Sequence, residues 1–115
     1  MAVVNVLPVL MVEDFDAAVS WYEALFGRAP DRRPMDGCVE WQLAGSAGVQ
    51  VYRDAESAGG STVIIGVDDV DAYVAEVGGR GIGAETFDVP SGQFRLATIQ
   101  DPAGNTITLG QQRTP

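Results

Sequence analysis

The chain alternates between short apolar runs and longer stretches in which apolar residues recur every three or four positions. The run Val3–Val12 is almost entirely aliphatic and predicts a buried strand. After Asp14, apolar residues recur with helical spacing from Phe15 to Phe26, and Gly27 follows the last of them. Because aspartate is a favourable N-cap and glycine a common helix stop, we predict a helix over these residues.

The pattern then predicts more strands and a second helix. Before residue 55, strands are predicted at Arg28–Arg33, Cys38–Leu43 and Val49–Arg53, separated by turns at Pro34–Gly37 and Gly45–Gly48. The second half begins with a strand at Ser61–Val67, followed by a helical stripe of Val70, Tyr73, Val74 and Val77 that Gly78 and Gly79 close. The last strands are predicted at Ala84–Val89, Phe94–Gln100 and Asn105–Leu109, and the sequence DPAGN at Asp101–Asn105 is typical of a turn.

The two halves share the frame V-x-D-x-D-A-x-V, at Val12–Val19 and at Val67–Val74. In each half this frame lies where the first strand ends and the helix begins. The sequence therefore predicts an α+β protein of two βαβββ modules, about 1–55 and about 60–111. At 115 residues, both modules are expected to form one domain spanning residues 1–115.

Composition and charge restrict the partners. Sixteen acidic and seven basic residues give a net charge of −9, so we expect no nucleic-acid partner and some attraction for cationic ligands. We expect no membrane partner, because no apolar run approaches the roughly 18 residues of a membrane span. Cys38 is the only cysteine, which excludes an internal disulfide and suits a cytoplasmic protein.

Four segments in this order resemble the vicinal oxygen chelate superfamily, which includes glyoxalase I, bleomycin resistance proteins, fosfomycin-modifying enzymes and extradiol dioxygenases. The segments are Val12–Ala17, WYEALFG at Trp21–Gly27, VDDVDA at Val67–Ala72, and DPAGN with the TITL that follows it to Leu109. The resemblance covers nearly the full length. It implies paired modules whose mixed sheet curls around a central cavity, with the helices on the outer face.

The resemblance also implies where metal ligands would lie. Metal-dependent members carry histidine, glutamate or glutamine on the first and last strands of each module, and these positions fall here at Leu7, Gln50, Thr62 and Thr108. Leucine offers no lone pair, threonine is a weak ligand, and the chain has no histidine. We therefore predict no metal and no other cofactor, and glyoxalase or dioxygenase chemistry is disfavoured.

Strand alternation predicts the lining of the cavity. If the apolar strand faces pack against the helices, the opposite faces form a cleft of neutral polar and aromatic side chains. The predicted ligand-binding residues are Leu7, Trp41, Gln50, Tyr52, Thr62, Phe94, Leu96, Thr98 and Thr108, with Asn5 and Thr106 beside them. Two interpretations of Trp41 remain open, a ligand-stacking role and a core role.

These observations favour a homodimeric, metal-independent protein that resembles bleomycin resistance proteins and sequesters an amphipathic or cationic aromatic molecule. Two alternatives are a metal-independent lyase or isomerase that uses Glu40 as a base, and an accessory domain with a vestigial cavity. No catalytic residue is assigned, because a chain without histidine has neither a Ser-His-Asp nor a Cys-His set. The sequence GGRGIG at Gly78–Gly83 follows a helix and does not open one, so it indicates a helix stop and a loop.

Overall fold

The computed structural model describes residues 2–113, which form two helices and eight strands. In chain order the elements are β1 (Val9–Val12), α1 (Phe15–Phe26), β2 (Arg32–Met35), β3 (Cys38–Ala44), β4 (Ala47–Arg53), β5 (Thr62–Gly66), α2 (Val70–Gly78), β6 (Thr86–Asp88), β7 (Phe94–Gln100) and β8 (Thr106–Gln112). This order is β-α-β-β-β twice, and the predicted α+β class is confirmed. No helix among these residues has the length and apolar character needed to cross a membrane.

Each module has its own four-stranded sheet. The strand order is β1-β4-β3-β2 in the first module and β5-β8-β7-β6 in the second. The first strand of each module pairs parallel with the last, and the other pairs are antiparallel. The sheets are mixed, as predicted, but they are two open sheets and not one sheet curled upon itself.

The repeated sequence frame starts both helices. The Asp14 carboxylate accepts a hydrogen bond from the Ala17 amide at 3.1 Å, and the Asp69 carboxylate accepts one from the Ala72 amide at the same distance. Both aspartates have extended backbone angles, as N-cap residues do. Gly27 ends α1 in the left-handed conformation, with φ of 74°. The duplicated motif is thus a repeated helix start.

The first strand is shorter than predicted. β1 begins at Val9, and Val3, Val4 and Val6 are 80%, 76% and 66% exposed. The segment before β1 contacts the sheet through the bridge between Val6 and Ala47 and through a hydrogen bond from the Gln50 amide to the Pro8 carbonyl. Residues before Val6 run past Ala47, where β4 begins, and cannot continue the ladder of hydrogen bonds, so the apolar run extends beyond the sheet as an exposed arm.

The second strand is displaced from its predicted position. The predicted strand was Arg28–Arg33, whereas β2 spans Arg32–Met35 and is exposed along its length. Arg28 belongs to the preceding loop, where its guanidinium binds the Asp31 carboxylate at 2.7 Å. Pro34 lies within the strand and not in a turn, which is possible because β2 is the edge of its sheet and needs no donor on its outer side.

The helices cover one face of the sheets, and the buried apolar residues of both modules form a single cluster. Trp41 and Tyr22 are its largest fully buried side chains. The two helices contact each other, and the Tyr73 hydroxyl of α2 donates a hydrogen bond to the Leu25 carbonyl of α1 at 2.8 Å. The face of each sheet that points away from the helices is called its open face below.

Candidate functional site

The open face of the second sheet is set by the register of three neighbouring strands. Partners in register point to the same side of a sheet. Across β5, β8 and β7 the rows on this face are Ile64, Thr108 and Thr98, and then Gly66, Gly110 and Leu96. One row is polar at two positions, and the other carries two glycines.

A pocket of about 560 Å³ opens on this face and is called the second-module pocket. Its lining consists of Ile64, Gly66, Val67, Val89, Phe94, Leu96, Thr108, Gly110 and Gln112. Thr108 and Gln112 supply hydrogen-bonding groups, and none of these lining side chains is charged. Ile64 is 74% and Phe94 42% exposed, so both present apolar surface to a ligand. Apolar walls with a few polar groups are typical of sites for organic molecules.

The open face of the first sheet is more polar. The Gln50 side-chain amide donates a hydrogen bond to the Glu40 carboxylate at 2.8 Å, and the Arg32 guanidinium lies 3.8 Å from the other carboxylate oxygen. The Glu40 side chain is only 14% exposed. Leu7 lies next to Glu40 at a depression of about 10 Å³, which is too small for an organic ligand.

The predicted ligand-binding residues are divided between the two sheets. Phe94, Leu96 and Thr108 line the second-module pocket. Thr98 and Thr62 share the open face of that sheet but lie outside the pocket lining, and Thr106 is the register partner of Thr62. Asn5 and Leu7 lie at the small depression of the first module, and Gln50 and Tyr52 lie on β4. The predicted positions therefore do not converge on one pocket within this chain.

Trp41 has a core position. Its side chain is 0% exposed, and its indole N–H donates a hydrogen bond to the Arg28 carbonyl at 3.0 Å. Its ring lies 5.9 Å from the Tyr22 ring and 5.4 Å from the Phe26 ring, both on α1. These contacts support the core interpretation of Trp41, because the indole has no exposed surface.

Comparison with known proteins identifies the family. The profile of the Glyoxalase/Bleomycin resistance protein/Dioxygenase superfamily matches residues 4–109. The chain belongs to this superfamily. The family that the sequence motifs indicated is thereby confirmed. A sequence comparison with curated proteins gives no match.

Solved structures of the superfamily share the fold. A glyoxalase/bleomycin resistance protein from Catenulispora acidiphila DSM 44928 has a TM-score of 0.90 and 29% identity, covering 96% of this chain and 100% of that one. A bleomycin-binding protein complexed with bleomycin has a TM-score of 0.74 and 21% identity, covering 94% and 98%. A lactoylglutathione lyase from Agrobacterium tumefaciens has a TM-score of 0.72 and 20% identity, covering 96% and 92%. The last two likenesses show the fold alone.

The positions at which superfamily resemblance implies metal ligands do not offer a transition-metal site here. Gln50 is hydrogen-bonded to Glu40, and Leu7 contributes no donor. Thr62 and Thr108 offer hydroxyls, which are weak ligands for such metals. Within residues 2–113, no group of three or more Cys, Asp and Glu side chains is placed to hold a metal ion.

Several residues that line the second-module pocket were not among the predicted ligand-binding residues. Alternation places Ile64 and Gly66 on the same face of β5 as Thr62, but they were not included among the predicted ligand-binding residues. β8 extends to Gln112, beyond the predicted end at Leu109, which is why Gly110 and Gln112 were not considered. Val67 and Val89 are the last residues of two predicted strands, but they lie just beyond the ends of β5 and β6, where strand alternation no longer indicates which way a side chain points.

A buried polar cluster joins the two modules. The Tyr22 hydroxyl, from the first module, donates a hydrogen bond to the Asp101 carboxylate of the second at 2.7 Å. The Asn105 side-chain amide donates to the same carboxylate at 2.9 Å and to the Met11 carbonyl of the first module at 2.7 Å. The DPAGN turn thus fixes the relative position of the two sheets, a role that its turn composition did not indicate.

This cluster predicts a loss of stability at alkaline pH. Burial, followed by the hydrogen bond to Asp101 and its charge, raises the pKa of Tyr22 well above its ordinary value of 10.0. Above about pH 10 the Tyr22 hydroxyl therefore loses its proton in the unfolded chain but keeps it in the folded chain. The contribution of this group to the free energy of unfolding is fully present below that pH and decreases above it. The expected slope is up to about 1.4 kcal/mol per pH unit for this group.

Urea unfolding between pH 8 and 11.5 would measure this slope. Tyr22→Phe removes the titrating hydroxyl and leaves the other tyrosines and Cys38 in place, so the variant should lose stability less steeply above pH 10 than the wild type. Parallel slopes for the two proteins would contradict the assignment to Tyr22.

Proposed function

We propose that this protein is a metal-independent binding protein that sequesters a small amphipathic or cationic aromatic molecule. The observation that carries the proposal is the second-module pocket, about 560 Å³ in volume, with apolar walls and polar groups at Thr108 and Gln112. Such walls bury rings and chains, while a few neutral hydrogen-bonding groups fix their orientation. The similarity to a bleomycin-binding protein supports the class of function.

The charge supports a preference for cations. With a net charge of −9 the protein generates a negative potential that raises the local concentration of positively charged molecules. Exposed acidic residues at the helix starts, such as Asp14 and Asp69, contribute to this field. The ligand we propose therefore combines an apolar ring system with a positive group.

We also propose that the protein works as a homodimer, as the resemblance implied, and that it is cytoplasmic, as its single cysteine suggested. The arm before β1 exposes Val3, Val4 and Val6, and Ile64 of the second module is exposed as well. Val6 and Ile64 border an apolar depression of about 310 Å³ that both modules line. Covering this surface with a second copy would remove apolar area from water.

The second candidate function is a metal-independent lyase or isomerase. It is supported by Glu40, which is largely buried on the open face of the first sheet and held by Gln50. A positioned carboxylate of this kind can act as a general base. This candidate differs from sequestration in one measurable respect, because Glu40→Gln would abolish turnover of a substrate while leaving ligand binding in the second-module pocket intact.

Thermal unfolding against a ligand panel tests the proposed function. The panel contains cationic glycopeptide antibiotics and planar aromatic antibiotics, and divalent metals serve as controls. A compound present at about 100 Kd should stabilise the protein by about 2.7 kcal/mol. We expect saturable stabilisation by at least one drug and none by metals, and stabilisation by metals alone would contradict the proposal.

Two phenylalanines of similar exposure provide a matched pair of variants. Phe94 lines the second-module pocket, whereas Phe87 on the neighbouring strand β6 lies outside the lining and is 47% exposed. Phe94→Ala should weaken binding of the stabilising compound about tenfold, which corresponds to about 1.4 kcal/mol. Phe87 shares the row of Leu96 but lies outside the lining, so Phe87→Ala should leave the affinity unchanged. Unchanged affinity in both variants would place the ligand outside the second-module pocket.

A further inference from the structure

The second-module pocket has two adjacent glycines in its lining. Gly66 of β5 and Gly110 of β8 are register partners, and Leu96 of β7 follows them in the same row. Glycine weakens a strand, because it loses more conformational freedom on folding than other residues and packs no side chain. Two glycines side by side in one row therefore require an explanation.

The two glycines differ in what a side chain would meet. A Cβ at Gly110 would lie 3.3 Å from the Leu96 side chain, so glycine at this position lets Leu96 lie against the strand. A Cβ at Gly66 would have no described atom within 4 Å, apart from its chain neighbours, and the φ angle of Gly66 is not positive. Neither crowding within the chain nor backbone conformation requires glycine at residue 66.

Gly66 is the last residue of β5, and a strand glycine that the fold does not require often marks a place where a ligand or another backbone approaches closely. Gly66 lines the second-module pocket and also borders the apolar depression that both modules line. Gly66 has no side chain, and at Gly110 the Leu96 side chain lies against the strand, so the Gly66 backbone and the Leu96 side chain form the floor of the pocket. Ile64 stands beside this floor, and Phe94 adds an aromatic wall. This shape accommodates a ring lying on its face better than a bulky or branched group.

We propose that the floor formed by Gly66 and the Leu96 side chain is a subsite for the face of a flat, uncharged ring system, and that Gly66 determines this specificity. This inference rests on the proposed function and adds the orientation of the ligand. Because none of the described lining side chains is charged, a cationic substituent must project out of the pocket, where the acidic protein surface attracts it. Thr108 and Gln112 offer hydrogen bonds to ring substituents.

Filling the space above the floor tests the inference. Nile red, a flat neutral dye that fluoresces in apolar surroundings, is titrated into the wild type, Gly66→Val and Gly60→Val. Gly60 precedes β5, lies outside the pocket lining, and a Cβ there also meets no described atom within 4 Å. We expect Gly66→Val to weaken dye binding at least about tenfold, Gly66→Ala to give a smaller loss, and Gly60→Val to bind like the wild type.

The melting temperature provides a second readout. Gly66→Val should melt at the same temperature as the wild type or higher, because valine favours strands and its side chain enters empty space. Unchanged dye binding by Gly66→Val would overturn the inference. A marked fall in its melting temperature would do so as well, because the glycine would then serve the fold.

Two further outcomes separate this inference from the proposed function. Dodecyltrimethylammonium is a flexible cation and is used below its micelle concentration. If it stabilises the wild type and Gly66→Val equally while flat molecules do not bind, the result supports sequestration and contradicts the subsite for flat rings. Sedimentation equilibrium gives the oligomeric state of both proteins. A dimeric wild type with a monomeric Gly66→Val variant would mean that a second copy of the chain packs on this floor, and would overturn the ring subsite.

Discussion

Replacing Asp101 with alanine is expected to lower the free energy of unfolding by about 3–5 kcal/mol. The side chain is 5% exposed and accepts hydrogen bonds from the Ala103 and Asn105 amides, the Asn105 side chain and the Tyr22 hydroxyl. Alanine would leave these donors without their acceptor, and each buried unsatisfied group costs about 1–3 kcal/mol. Urea unfolding monitored by circular dichroism would measure the loss.

A double-mutant cycle shows whether the loss reflects the connection between the modules. Tyr22→Phe removes only the hydroxyl, and Asp101→Asn keeps the shape of the side chain. Because these two side chains come from different modules and are hydrogen-bonded at 2.7 Å, we expect a coupling energy of about 1 kcal/mol or more. Strictly additive effects would contradict a direct contribution of this bond.

Replacing Trp41 with alanine is expected to destabilise the protein by about 3–5 kcal/mol. The indole is fully buried against Tyr22 and Phe26, and its N–H is satisfied by the Arg28 carbonyl. Alanine would remove the apolar contacts and leave a cavity that the surrounding sheet and helix can only partly fill. The change in urea midpoint, with an unchanged dependence on urea concentration, would measure this effect.

Trp41→Phe is the control that separates the core role from ligand stacking. Phenylalanine keeps an aromatic ring beside Tyr22 and Phe26 and loses the hydrogen bond to the Arg28 carbonyl, so we expect a smaller loss of about 1–2 kcal/mol. Any compound that stabilises the wild type should bind the folded variant with unchanged affinity. A weaker affinity in Trp41→Phe would mean that the indole does contact the ligand.

The sequence predicted those parts of the fold that depend on local pattern. The Asp14 and Asp69 helix starts and the βαβββ order follow from capping chemistry and from periodicities that a single segment carries. The predicted boundaries of β1 and β2 were wrong, because a strand extends only as far as the neighbouring strand with which it pairs. Val3, Val4 and Asn5 continue the apolar run past Ala47, the first residue of β4, so they have no partner, and no local pattern shows this.

The candidate site was harder to predict from the sequence, because it too depends on contacts between segments that are distant in the chain. Alternation correctly placed Phe94 and Thr108 on the side of the sheet that faces away from the helices. It could not show whether the open faces of two modules meet, because that depends on how the sheets are joined. The Tyr22–Asp101 contact that joins them links residues 79 positions apart.

The exposed strand β2 limits how the first sheet can associate with other molecules. Its outer edge carries Arg32 and Arg33, and Pro34 offers no amide proton to an incoming strand. Positive charge and proline are two ways in which proteins prevent strands from adding to a free edge. Addition of a strand from another molecule at this edge, and with it growth of the first sheet into a continuous aggregate, is therefore disfavoured.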